Sequence, residues 1–419
     1  MRQVDRPRPS AWRGAAAAGG IAALVLALGG CLPHDVAAPA PPPVADPHPA
    51  AASAPQPADP RPNTPAPPPA DGPTDARPTA PADRPDQADP ALRAERTEDP
   101  GPDWTPNPGW DSDPGWNPDP DQDPDGLSGE LWHDPSSAAA RQVRAWRAEG
   151  RLAEARLLRV LADQPTAEWI GDEPRQKAHR VTESARASGR MPVLVGYHIP
   201  YRDCGNHSAG GAPDGAAYRR WAHDLAAGIG DREALVILEP DAVAQVVEGC
   251  VPAELRGERL DLLRHAVVTL SGLPGTRVYL DAGNAGWVPD PARLVPSLQR
   301  AGIAYADGFA LNVSNFHTTR TSVDYGYRLS HLLDGAHFVI DTSRNGRGPA
   351  EDDGLGDTWC NPPGRAIGQP PTTRTGRPRV DAYLWIKRPG ESDGTCRGGP
   401  PAGQWWPSYA LELARNAGG

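Results

Sequence analysis

Beyond residue 190 the chain alternates between two hydrophobic patterns. Short apolar, partly β-branched runs at Val193–Ile199, Leu235–Glu239, Arg277–Asp281, Gly308–Val313, Phe338–Asp341 and Tyr383–Lys387 read as strands buried on both faces. Between them lie stretches with helical apolar spacing: Ala216–Gly228, the segment through Val246, Glu258–Leu270, Pro291–Arg300, Tyr325–Leu333 and a closing Pro407–Arg415. Two amphipathic helices, Ser136–Glu149 and Leu152–Asp163, precede the first strand. Such alternation predicts a parallel sheet with right-handed crossovers. Six or more such strands in about 290 residues point to a β/α barrel rather than an open doubly wound sheet.

The polar residues that interrupt this pattern fall at equivalent places. Leu235-Val236-Ile237-Leu238 runs into Glu239-Pro240-Asp241, and the other strands end in Arg202-Asp203, Asp281-Ala282-Gly283-Asn284, Asn312-Val313-Ser314-Asn315, Asp341 to Asn345 and Lys387, with Glu391 and Asp393 following. In a β/α barrel these ends converge on one rim. Asp241 alone could be a helix cap; its companions make it a site residue. Trp169, Trp287, Trp359 and Trp385 lie near the same loops. Carboxylates, amides and flat aromatic faces suit a sugar chain, whose hydroxyls both donate and accept and whose C–H faces stack on indole. Paired carboxylates can divide the work of glycoside cleavage, one protonating the leaving oxygen and another assisting water. Crowding Asp203, Asp241, Asp281 and Asp393 together raises the pKa of the most buried member. No glycine-rich phosphate loop, nucleophile elbow or Ser-His-Asp order competes for the site, and no CxxC pair has zinc spacing.

Composition changes the picture only at the N-terminal end. Most of the 52 prolines and much of the acidic excess behind the net charge of −11 fall before residue 128. Residues 1–30 carry an arginine-rich front and an apolar run from Ala15 to Leu28, which is the form of an export signal. The small residues before Cys31 resemble a bacterial lipobox, so Cys31 is expected to be lipidated. Residues 31–127 are Pro, Ala and Asp with almost no aliphatic side chains and read as a disordered, extended linker. Its Trp110 and Trp116 sit in two Pro-Gly-Trp repeats. Five cysteines in an exported chain leave one over, and lipidation of Cys31 accounts for it. The destination expected is the outer face of the cell membrane as a lipoprotein, or the medium.

Residues 128–419 resemble glycoside hydrolase family 6. The resemblance lies in Tyr197 to Cys204, Val236 to Asp241, Tyr279 to Asn284, Leu311 to Asn315, Ile340 to Gly346, Trp359 to Arg365 and Leu384 to Cys396. It implies a distorted, partly open barrel that hydrolyses β-1,4-glucan with inversion. Asp241 matches the general acid, Asp203 the aspartate that keeps it protonated, and Asp393 the proposed base. Tyr197 matches the tyrosine beneath the distorted sugar, Asp281 a supporting carboxylate and Arg344 a member of the aspartate network. Trp169, Trp287 and Trp359 resemble sugar platforms, with Asn284, Asn312, Asn315, Lys387 and Glu391 holding hydroxyls. Inversion in such enzymes places acid and base roughly 6.5–9.5 Å apart. The resemblance further implies the bridges Cys204–Cys250 and Cys360–Cys396.

Two positions depart from the family pattern. In the loop after Asp203 only Ser208 is available to help hold a catalytic water, and Asn284 stands where many members carry histidine. The intervals between the paired cysteines lack room for long tunnel-forming loops, so an open cleft and internal cutting are expected. An exo-acting cellobiohydrolase and a non-catalytic glycan-binding lipoprotein are the rival readings. The expected partner is the β-1,4-glucan itself, with contact to membrane only through the lipid anchor. No cofactor, metal or nucleic acid is called for, and the chain is expected to be a monomer.

Overall fold

The computed structural model describes residues 127, 129–354 and 357–417. The expected export signal over residues 1–30, the lipidated Cys31 and the linker up to residue 126, with Trp110 and Trp116, lie outside the described residues. Two helices, α1 (Ala138–Ala148) and α2 (Leu152–Ala162), lead into an alternating series: β1 (Glu168–Ile170), α3 (Pro174–Ala187), β2 (Val193–Gly196), α4 (Gly215–Ile229), β3 (Ala234–Leu238), α5 (Ala242–Glu248), α6 (Ala253–Ser271) and β4 (Thr276–Asp281). The series continues with α7 (Val295–Arg300), β5 (Gly308–Leu311), α8 (Thr319–Leu332), β6 (His337–Asp341), β7 (Val380–Leu384) and α9 (Pro407–Asn416). The seven strands pair in sequence order, and every pairing is parallel.

Alternate strand residues bury into two separate cores. Val193, Val195, Leu235, Ile237, Tyr279, Ala310, Val339 and Ala382 fill the inside of the curled sheet. Leu194, Val236, Leu238, Val278, Leu280, Phe309, Phe338 and Ile340 face outward onto the helices. A third cluster joins α1, α2 and α9 through Trp146, Leu158, Tyr409 and Leu413. Both faces of β2, β3, β5 and β7 are thus buried, so the sequence there shows apolar runs. No strand ladder joins β7 to β1. The gap is spanned by the Ala167 N–H donating to the Trp385 carbonyl at 3.0 Å and by the Trp169 indole N–H donating to the Ile386 carbonyl at 2.9 Å. That is the distorted, partly open barrel the sequence suggested.

Three features differ from the sequence reading. β1 and α3 lack the apolar signal: β1 is Glu-Trp-Ile and α3 buries mainly Ala178, Val181 and Ala185. The last strand runs Val380–Leu384 rather than Tyr383–Lys387. Trp385 and Ile386 are buried after the chain has left the ladder, and burial without pairing mimics a strand in sequence. The Pro291–Arg300 helix divides into a tight turn at Pro291–Arg293 and α7.

Gly326, in the interior of α8, marks the closest approach of helix to sheet, because a Cβ there would land in the Phe338 ring. Gly326→Ala gains helix propensity of about 1 kcal/mol, while overpacking a core costs about 1–3 kcal/mol. The substitution should therefore lower the urea midpoint with unchanged slope. An equal or higher midpoint would show that α8 is free to move off the sheet.

Candidate active site

The rim is built on strained backbone. Asp203, Cys204, Glu239, Asp241, Asn312, Ser314 and Asn361 all have positive φ, between 47° and 73°. L-residues seldom adopt this region, and such positions persist only where the surroundings fix them. Here the fixing is done by carboxylates that accept backbone N–H groups from neighbouring strand ends.

Asp241 follows β3 and occupies the N-cap position of α5, yet its side chain makes no capping hydrogen bond. The helix-cap reading of this residue is thereby removed. Its own N–H donates to Asp281 Oδ2 at 2.9 Å, and the Gly283 N–H reaches the same oxygen at 3.0 Å. Burial of the carboxyl, then the Asp281 charge, then the Asp203 charge hold the Asp241 pKa well above the usual carboxylate range. Burial also lifts Asp281 to about 7. Its Oδ1 is buried with no hydrogen-bond partner among the described residues.

Asp203 lies in a tight turn beyond β2, and one of its oxygens accepts from both the N–H and the hydroxyl of Ser208, at 2.8 and 2.9 Å. Ser208 Oγ also lies 3.0 Å from the Tyr197 hydroxyl. A serine has a single hydroxyl proton. With it given to Asp203, Tyr197 is the donor to Ser208. Burial, followed by the Asp241 charge, raises the Tyr197 pKa and keeps that phenol protonated. Ser208 is thus in register to join the tyrosine to Asp203.

Asp393 is handled in the opposite way. Arg344 donates to its Oδ2 at 2.8 Å, the Asn361 N–H reaches the same oxygen at 3.0 Å, and Lys387 Nζ lies 3.3 Å from Oδ1. Burial pushes this carboxyl up, but Arg344 and Lys387 together outweigh it and hold it below its ordinary value. Asp341 does not pair with Arg344 by hydrogen bond. It accepts the N–H groups of Ser314, Ser343 and Lys387 and so stitches together the ends of β5, β6 and β7.

The residues expected at the sugar divide into two groups. Trp169 is half-buried and meets Tyr197 edge-on at 5.2 Å. Trp287 is half-buried against the outer core, with its N–H bonded to Asn284 Oδ1. Trp359 is exposed and meets His207 at 5.9 Å, so the loop after Asp203 touches the loop of the second disulfide. Asn315 is partly exposed, while Lys387 and Glu391 are buried. Burial raises Glu391, against the opposing charge of Arg388 at 3.0 Å. Asn312 is corrected: it is fully buried, and its amide bonds the His317 and Asp341 carbonyls and the His317 N–H. It shapes the loop and has no surface for a sugar. Trp385 is likewise a core residue, its indole N–H held by the Gln369 carbonyl. The disulfides Cys204–Cys250 and Cys360–Cys396 both form.

Three supports were not singled out from sequence. Glu239 is fully buried, lifted by burial to about 7, and accepts the N–H groups of His198 and Ile199. Arg259 holds the Pro200 and Tyr201 carbonyls at 2.8 and 2.7 Å. Asn361 exchanges hydrogen bonds with the Asp393 backbone and carboxylate. Glu239 stands in sequence as the charge that ends β3, with no role assigned to it there, whereas Arg259 sits in an ordinary helical pattern.

The family model described as "Glycosyl hydrolases family 6" matches residues 128–417. The chain is 45% identical over 279 residues to Endoglucanase A of Cellulomonas fimi, a match covering 65% of this chain and 59% of that protein. It is 44% identical over 262 residues to Endoglucanase 1 of a Streptomyces strain, covering 61% and 70% respectively. Among solved structures, the endoglucanase Cel6 of Mycobacterium tuberculosis, in complex with methyl-cellobiosyl-4-deoxy-4-thio-β-D-cellobioside, superposes with a TM-score of 0.66 at 45% identity. That match covers 70% of this chain and 99% of the other.

The Arg344–Asp393 pair yields a stability prediction. Arg344 is fully buried, and removing one partner of a buried pair costs about 3–5 kcal/mol. Arg344→Met should show that loss at neutral pH. Asp393's folded pKa is depressed, so the pair's contribution is complete above the unfolded value of about 3.9 and fades as pH falls through the folded value. Urea unfolding at pH 7 and pH 3 should therefore give a smaller difference in acid. An equal difference at both would separate Arg344 from Asp393's charge.

Proposed function

The chain belongs to glycosyl hydrolase family 6, and from that membership we propose that it hydrolyses internal β-1,4-glucosidic bonds of cellulose or a related β-glucan with inversion of configuration. The observation that carries this reading is Asp241: a carboxyl kept neutral by burial and by Asp281 and Asp203 at the strand edge where the half-barrel opens. A neutral acid there can protonate the oxygen of the bond being broken. Tyr197, edge-on to Trp169, supports the sugar ring, and Asp203 steadies positive charge as that ring flattens. Asp393 stays ionised, orienting water on the opposite face and taking up its proton. Water molecules relay that proton to Asp393, which Arg344 and Lys387 hold ionised.

Trp287, Trp359, Asn284, Asn315, Lys387 and Glu391 bind the flanking glucosyl units. Internal cutting is supported by the endoglucanase names of the relatives and by the modest separations of the bridged cysteines, 46 and 36 residues. Residues 128–419 form the catalytic domain on a linker over residues 31–127, behind an export signal ending at residue 30. The enzyme is exported, which the two disulfides support, and acts as a monomer, either at the outer face of the cell membrane as a lipoprotein lipidated at Cys31 or secreted.

Asp241→Asn should reduce hydrolysis of carboxymethylcellulose by about 10²–10⁴-fold, the range for losing a general acid. Hydrolysis unchanged by the substitution would remove Asp241 from the chemistry. For the wild type, viscosity should fall faster than reducing ends appear, and NMR of fresh product should show the α anomer. Nearly pure cellobiose without loss of viscosity would mark an exo enzyme, and a β anomer would exclude inversion.

A further inference from the structure

A hollow of about 360 Å³ opens beside the N-terminus of α9, lined by Asn361, Pro363, Arg397, Trp406, Tyr409 and Glu412 among others. Of these residues only Asn361 was placed at the cleft, as a support of Asp393.

Its construction is specific. Arg397 follows the bridged Cys396 with a left-handed φ of 51°, a conformation that disfavours a non-glycine residue. The turn directs a guanidinium that is only 11% exposed into an ion pair with Asp353, its two terminal nitrogens bonded to the two carboxylate oxygens at 2.6 and 2.9 Å. Arg397 Nε is left buried with no hydrogen-bond partner among the described residues. Trp406 stacks on the buried Tyr409 at 5.4 Å with an interplanar angle of 27°, and it remains partly exposed. Glu412 accepts the Gly364 N–H through Oε1. Arg397 is balanced by Asp353, and Glu412 leaves the lining net negative, so an anion is disfavoured. A neutral ring that donates to Glu412 and lays a C–H face on the Trp406 indole fits this lining.

We infer that this hollow is a second glucan-binding site, taking one or two glucosyl units of a β-1,4-linked chain outside the catalytic cleft. The inference rests on the β-glucan reading above. A chain held there stays close to the cleft and raises its effective concentration at Asp241.

The test is calorimetric titration of cellotetraose into the full-length Asp241→Asn enzyme, in which turnover is blocked. Two equivalents should bind. Adding Trp406→Ala should weaken one of them by about tenfold or more, the scale of one aromatic stacking contact, while Trp406→Phe preserves it. Glu412→Gln provides a second probe should Trp406→Ala disturb α9, and it should weaken the same equivalent. A single equivalent that none of these changes affects overturns the inference and leaves the cleft assignment standing. No binding at all, with no β-glucan hydrolysis by the wild type, overturns both.

Discussion

Carboxylates crowded into a dry strand edge cannot all be charged, and the architecture of the rim follows from how each one is accommodated. These carboxyls are buried, so each must stay neutral, accept backbone donors or find a cation. Asp241 takes the first course and keeps its proton. Glu239, Asp281 and Asp341 take the second. Asp393 takes the third, clamped by Arg344 and Lys387. Two aspartates of one rim are driven in opposite directions, Asp241 toward its neutral form and Asp393 toward its charged one.

The same carboxylates hold the backbone. Glu239 ties the end of β3 to that of β2, Asp281 ties β4 to the turn after β3, and Asp341 gathers β5, β6 and β7. Positive φ angles at Asp241, Asn312 and Ser314 are tolerated because these bonds fix them. Electrostatics and geometry are therefore not separable: replacing a supporting acid changes both the charge that presses on Asp241 and the loop that carries it.

Much of this was legible in sequence. Strands buried on both faces announce themselves as apolar runs, and their polar ends located Asp203, Asp241, Asp281 and Asp393. β1 was not legible because three residues beginning with Glu168 carry no such run, yet it supplies Trp169. The direction a side chain faces was also hidden. Asn312 and Asn315 lie three residues apart in one motif, but only Asn315 keeps an exposed surface. Trp385 and Trp359 look equivalent in composition, yet one fills the core beneath α9 and the other stands at 38% exposure. Supports such as Arg259 and Asn361 act through contacts made by the tertiary fold, which spacing alone does not encode.

Neutrality of the Asp241 carboxyl underlies the whole account, and ¹³C NMR titration of that carboxyl in labelled wild-type enzyme tests it most directly. The account predicts a midpoint well above the ordinary aspartate value of about 3.9, with the acid still protonated where Asp393 is fully ionised. A midpoint near 3.9 or below would contradict it, because Asp241 would then have no proton to give at neutral pH.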